Sequence, residues 1–190
     1  MTYKSMMYNT LYPIVLNKYK NDIFVETGIW LGYGIRVALD CGFKQIYSCD
    51  INEAYIKGGR KKYNLENVKI FQKNSVDFLN SFFETEKIYE NITFWLDAHG
   101  DSDKNIDAPL LDELKIIKQY CQNKNIIILI DDYHSFERWA KNLSKEEITN
   151  ILKEINPNFK IFSQKRIYSL SQDINEENLP TKGEILVAKL

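Results

Sequence analysis

The sequence predicts an α/β fold, repeated β-α units on a mostly parallel sheet, and three observations carry that prediction. Short apolar runs alternate with amphipathic stretches of helical period along most of the chain. Turn and capping residues stand between them. After about residue 155 the pattern changes to strand-like segments around the polar stretch Ser171 to Lys182, which reads as a closing antiparallel hairpin. With 190 residues, 44% hydrophobic and 13% aromatic, the chain fills one core and leaves no room for a second catalytic domain. One domain over 1–190 is expected, with an N-terminal arm or helix at 1–20, a β-α core at 22–155 and a C-terminal hairpin region at 156–190.

Taken in order, the strands are expected at Ile23 to Glu26, Gln45 to Cys49, Val68 to Gln72, Ile92 to Leu96, Ile126 to Ile130, Lys160 to Ser163 and Ile185 to Lys189. The stretches between the first five carry helix signals. Ile35 and Leu39 follow a Gly-rich turn, and Ala54, Ile56 and Tyr63 follow Asn52. Phe78, Leu79 and Phe82 follow Ser75 and Asp77, and Leu110, Leu114, Ile117 and Tyr120 follow Pro109, a residue suited to a helix start.

Composition excludes several classes. Lys plus Arg total 25 against 26 for Asp plus Glu, so the net charge of −1 offers no general attraction to nucleic acid or anionic lipid. Only Arg36, Arg60, Arg138 and Arg166 carry a guanidinium, which disfavours a sequence-specific DNA reader. The longest aliphatic run, Ile126 to Ile130, falls far short of the roughly 20 residues of a membrane span. No secretory signal is visible in Met1 to Asn9, so a cytoplasmic protein is expected. Cys41, Cys49 and Cys121 are odd in number and lie in apolar surroundings, as reduced buried thiols do. With His99 and His134 as the sole histidines, the paired short spacings of a zinc site are missing.

In an open α/β sheet ligands bind beyond the carboxyl ends of the strands, so the residues after each apolar run are the candidates. Glu26-Thr27-Gly28, followed by Gly32 and Gly34, ends a strand in an acid and lets backbone approach a ligand closely; a plain tight turn is the alternative. Asp50, followed by Ile51, lies where a carboxylate grips a ribose diol, or else caps the next helix. Together these features favour a nucleoside-bearing cofactor. Asn74 and Ser75 offer polar groups where an adenine edge would lie, with capping by Ser75 or Asp77 as the plainer account.

Asp97 leaves one apolar run, and Asp131-Asp132 leave its neighbour. Three carboxylates meeting at one point suit a hard divalent cation. From Asp97 through Asp101, Asp103, Asp107 and Asp112 to Glu113 the chain is acidic, with Lys104 inside it, so the near-neutral total hides an acidic loop, which a solvated surface would also explain. His99 and His134 each lie two residues beyond an Asp and suit a ligand or general base, or a partly exposed hydrogen-bonding role. Trp30, Tyr33, Phe136 and Trp139 lie beside the expected cleft.

The order of an acidic Gly-rich turn (Glu26, Gly28, Gly32), an acid after strand two (Asp50), a polar pair after strand three (Asn74, Ser75), then Leu-Asp-Ala-His and Leu-Ile-Asp-Asp-Tyr resembles class I S-adenosylmethionine-dependent methyltransferases. Asp97 with Asp131-Asp132 is similar to the metal-binding acids of macrocin-type sugar O-methyltransferases. The resemblance runs from about Phe24 to Tyr133. It implies a Rossmann-like, seven-stranded sheet with an antiparallel last strand and helices on both faces. Glu26 and Gly28 would face the methionine part of S-adenosylmethionine, Asp50 its ribose, and Asn74 or Ser75 its adenine, with Thr27, Gly32, Ile51 and Asp97 also against the cofactor. Asp97, Asp131 and Asp132 would hold Mg²⁺ or a similar ion, which would bind an acceptor hydroxyl and lower its pKa. Asp97 or His99 would take the proton. The implied acceptor is a small molecule or glycan, with no nucleic acid or membrane partner, and a homo-oligomer is left open. Ala98 stands where the macrocin-type pattern has Gly, and little chain precedes the first strand to form a lid. A metal-independent methyltransferase on another acceptor and a non-catalytic cofactor-binding or scaffolding domain are the alternatives.

Overall fold

The computed structural model describes residues 13–99, 108–135, 143–165 and 184–190. Seven strands form one sheet: β1 (Ile23–Thr27), β2 (Gln45–Asp50), β3 (Val68–Gln72), β4 (Ile92–Leu96), β5 (Ile126–Ile130), β6 (Lys160–Lys165) and β7 (Glu184–Lys189). Their order is β3-β2-β1-β4-β5-β7-β6. The first five are parallel, and β7 runs antiparallel to both β5 and β6. All seven expected strands are present: β3, β4 and β5 have the expected bounds, and the other four extend one or two residues further at one end. Ser171 to Lys182 lies outside the described residues.

The helices are α1 (Pro13–Lys18), α2 (Tyr33–Asp40), α3 (Glu53–Lys62), α4 (Ser75–Glu86), α5 (Leu110–Cys121) and α6 (Lys145–Ile155), with a 3₁₀ turn at Tyr133–Ser135. Strand alternation divides the core between the two faces of the sheet. Phe24, Ile46, Trp95 and Leu129 pack with Leu16 of α1, Ile35 of α2 and Ile56 of α3. Val25, Tyr47, Phe94 and Ile128 pack with Phe78 of α4, Leu114 of α5 and Leu152 of α6. The strands read as continuous apolar runs because both faces are covered.

Local chemistry sets the helix starts. Asn52 caps α3 by accepting from the Ala54 amide, and Ser144 with Glu147 forms a reciprocal capping box on α6. The caps expected at Ser75 or Asp77 fall instead to Asn74, whose Oδ1 accepts the Asp77 amide at 2.8 Å while its amide nitrogen donates to the Asp77 carboxylate at 2.6 Å. Asn74 sits one residue before the helix with extended torsions, which is where a side-chain oxygen reaches an amide of the first turn. Cys41, Cys49 and Cys121 are buried and outside any disulfide among the described residues. No helix among the described residues is long and apolar enough to cross a membrane.

Candidate active site

Sheet register places the strand ends level with one another. Thr27 pairs with Cys49 of β2 and with Leu96 of β4, and Leu96 pairs with Ile130 of β5. One residue further on, the backbones are still linked: the Gly28 amide donates to the Cys49 carbonyl, the Asp97 amide to the Thr27 carbonyl, and the Asp131 amide to the Leu96 carbonyl. Lys73, Asp50, Gly28, Asp97 and Asp131 therefore follow the strand order along one rim. The chain switches direction across the sheet between β1 and β4, and that switch is where an open α/β fold binds its ligand.

The β1–α2 turn needs its glycines for different reasons. Gly28 has φ +87, and a Cβ there would lie 2.5 Å from the Asp97 carbonyl oxygen, so the two loop backbones touch at the switch point. Gly32 has φ +73 and caps α2 without a side chain, over the Tyr63 ring, whose hydroxyl donates to the Gly32 carbonyl at 2.7 Å. Gly34 makes room for Glu26: a Cβ there would sit 1.7 Å from Glu26 Oε1. Glu26 is 2% exposed, and Ser48 Oγ donates to its Oε2 at 2.5 Å. Burial pushes its carboxyl up to about 8, against the Ser48 hydrogen bond, with the Asp50 charge adding to the rise.

Asp50 is not the cap of α3. Its Oδ2 accepts the Trp30 amide at 3.1 Å and its Oδ1 the Asn52 amide at 2.8 Å, so one carboxylate braces both rim loops. Each oxygen retains further acceptor capacity for a diol. Trp30 holds φ 43, an uncommon conformation for a bulky residue, in presenting that amide. The Trp30 and Ile51 side chains are exposed beside it. Thr27 and Ser75, the first residue of α4, are both buried.

At the ends of β4 and β5, His99 Nε2 lies 3.1 Å from the Asp131 carbonyl oxygen and 3.6 Å from Asp97 Oδ1. Asp131 is 1% exposed, and its Oδ1 accepts the Asp132 amide at 2.7 Å. Asp132 stands in the left-handed region at φ 50. The strand ends thus bring Asp97, His99, Asp131 and Asp132 into one neighbourhood. Among the described residues, however, no three His, Cys, Asp or Glu side chains converge to hold a metal ion. Asp131 turns Oδ1 onto its own loop, where it accepts the Asp132 amide. His134 is exposed and accepts the Glu184 amide at 3.4 Å, toward β7. Asp101, Asp103, Lys104, Asp107, Phe136 and Trp139 lie outside the described residues.

Sequence reading misplaced one acid. Glu113, taken with the acidic loop, is in the first turn of α5 and 1% exposed. It shares a helix face with Leu110, Leu114 and Ile117, which was the available signal. Burial pushes its carboxyl up to about 7, while the Ser75 and Thr27 hydroxyls nearby draw it back. Its Oε1 has no hydrogen-bond partner among the described residues, which costs about 1–3 kcal/mol.

A seven-stranded sheet of this order, with an acid and glycine turn after β1 and a carboxylate after β2, defines a Rossmann-like architecture. No family model matches the chain, and no curated protein matches it in sequence. Solved structures do match. An O-methyltransferase from Bacillus cereus in complex with S-adenosylhomocysteine (SAH) has a TM-score of 0.64 at 14% identity, covering 100% of this chain and 82% of that one. A Streptococcus mutans protein in complex with SAH has a TM-score of 0.59 at 16% identity, covering 94% and 95%. The N-methyltransferase NodS from Bradyrhizobium japonicum WM9 has a TM-score of 0.56 at 8% identity, covering 93% and 91%. The chain therefore has the fold of the S-adenosylmethionine-dependent methyltransferases.

Proposed function

We propose that the chain binds S-adenosylmethionine and methylates a hydroxyl of a small molecule or glycan. The observation that carries this reading is the contact between the Gly28 and Asp97 backbones at the switch point, with the Asp50 carboxylate braced on the next strand end. The residues fit the cofactor: Gly28 and Gly32 bare the turn for its methionine part, with Glu26 packed behind and Thr27 beneath. Asp50 accepts from its ribose hydroxyls, Ile51 covers an adenine face, and Asn74 and Ser75 lie at the adenine edge. When bound, S-adenosylmethionine supplies an electrophilic methyl group on a sulfonium whose leaving group is the neutral thioether SAH.

The chain's own task is to orient the acceptor and take its proton. In the tautomer protonated at Nε2, His99 donates to the Asp131 carbonyl, which holds the imidazole beside Asp97. Asp97 or His99 is the proton acceptor we assign. Metal assistance has the placing of Asp97, Asp131 and Asp132 on adjacent strand ends in its favour.

Calorimetric titration with SAH tests the reading. Micromolar binding is expected, weakened at least tenfold by Asp50→Ala; no binding by the wild-type chain overturns it. A chelator that leaves turnover on an identified acceptor unchanged would remove the metal and keep the class. Binding without transfer to any acceptor would point to a non-catalytic domain.

A further inference from the structure

The proposed cofactor reading leaves Glu113 without a task. Its carboxyl is buried on the inner side of α5, and Thr27 and Ser75 stand beside it. Those two residues belong to different elements of the rim, the end of β1 and the start of α4. Thr27 also reaches the acceptor side, since its Oγ1 accepts the Asp97 amide at 3.3 Å. One carboxyl thus lies against the elements that would hold the two ends of the cofactor, and through Thr27 it touches the loop of Asp97. Nothing in the packing requires an acid there. Leu110, Leu114 and Ile117 fill the same helix face with hydrocarbon, and Glu113 Oε1 lies buried with no partner among the described residues. An apolar side chain of similar volume would remove an unsatisfied buried oxygen.

We propose that Glu113 is a positioning residue for the cofactor crevice, setting the orientation of the Thr27 and Ser75 hydroxyls from below the rim. A buried acid that opposes stability while ordering two binding elements separates the two properties. An apolar substitution improves the fold and impairs binding, whereas a structural residue would lose or keep both together.

The inference rests on the cofactor reading, and SAH titration distinguishes their failures. For Glu113→Leu, we expect a melting temperature at or above wild type and SAH affinity reduced at least tenfold. Glu113→Gln retains one acceptor oxygen and is expected to recover most of the loss, ending within about threefold of wild type. If wild type binds SAH and Glu113→Leu binds it equally well, the positioning role is overturned while the cofactor reading stands. If wild type does not bind SAH, both fall. Should Glu113→Leu fail to fold, Glu113→Met, apolar and unbranched at similar volume, decides the question. Loss of SAH affinity at unchanged melting temperature supports the role, and unchanged affinity overturns it.

Discussion

Two buried glutamates stand beneath the same rim on opposite faces of the sheet, and they are not equivalent. Glu26 lies on the face covered by α1, α2 and α3, where Ser48 donates to it and Gly34 leaves it space. Glu113 lies on the face covered by α4, α5 and α6, with two hydroxyls near it and one oxygen unmatched. Glu26 is built into its turn by a neighbour lacking a side chain, whereas Glu113 is set beside two buried hydroxyls at the ends of β1 and α4. An acid can therefore shape a site by fixed packing or by ordering adjustable hydroxyls, and the two should respond differently to perturbation.

The largest expected effect tests what the two acids share. Both are pushed up by burial, to about 8 for Glu26 and about 7 for Glu113, so the native state holds protons that the unfolded chain releases above about pH 4.5. Their contribution to stability is complete below that pH and is lost as pH rises through 7 to 8. Between pH 5 and 8 we expect a fall on the order of 5 kcal/mol, measured by urea unfolding, with Glu26→Gln flattening part of the slope. Glu86 acts in the opposite sense: although burial raises it, Lys69 and Tyr47 hold its carboxyl below the usual range, so its share is lost on acidification.

Next in size is the packing of Glu26. Gly34→Ala should cost about 3 kcal/mol in urea unfolding, because the methyl group meets the Glu26 carboxyl. Combining it with Glu26→Ala should recover much of that loss, a coupling seen in a double-mutant cycle. Additive losses would show that Gly34 serves the turn and not the acid. Asp50→Asn should weaken SAH binding by about tenfold, or 1.4 kcal/mol, with little change in melting temperature. Smallest is a control remote from both acids: Ser144→Ala removes the α6 capping box, costing about 1 kcal/mol by unfolding and leaving SAH affinity unchanged.

Fold and rim were legible for a physical reason. Strands buried on both faces must be apolar along their whole length, so Ile92–Leu96 and Ile126–Ile130 announce themselves, and the residues after them fall at the binding edge. Asp50 could be placed there, but its choice between capping α3 and bracing the Trp30 amide depends on a tertiary contact that local pattern does not encode. The same limit applies to Asp131 and Asp132. Adjacent strand ends bring them near Asp97, whereas the turn of Asp131 onto its own loop and the left-handed torsion of Asp132 are settled by packing. Glu113 was hidden by its neighbours, since a run of acids reads as solvated surface until the helix register turns one inward.

The antiparallel insertion of β7 also constrains how the chain can be assembled during synthesis. β6 precedes β7 in sequence, yet its sheet partner is β7, which lies between it and β5. A nascent chain can complete β1 to β5 and still have no dock for β6. Until β7 emerges, the all-aliphatic β5 presents an open hydrogen-bonding edge to any extended segment nearby. Ribosome stalling or truncation just before residue 184 would therefore yield a sticky intermediate, and that interval is when the chain most needs a chaperone.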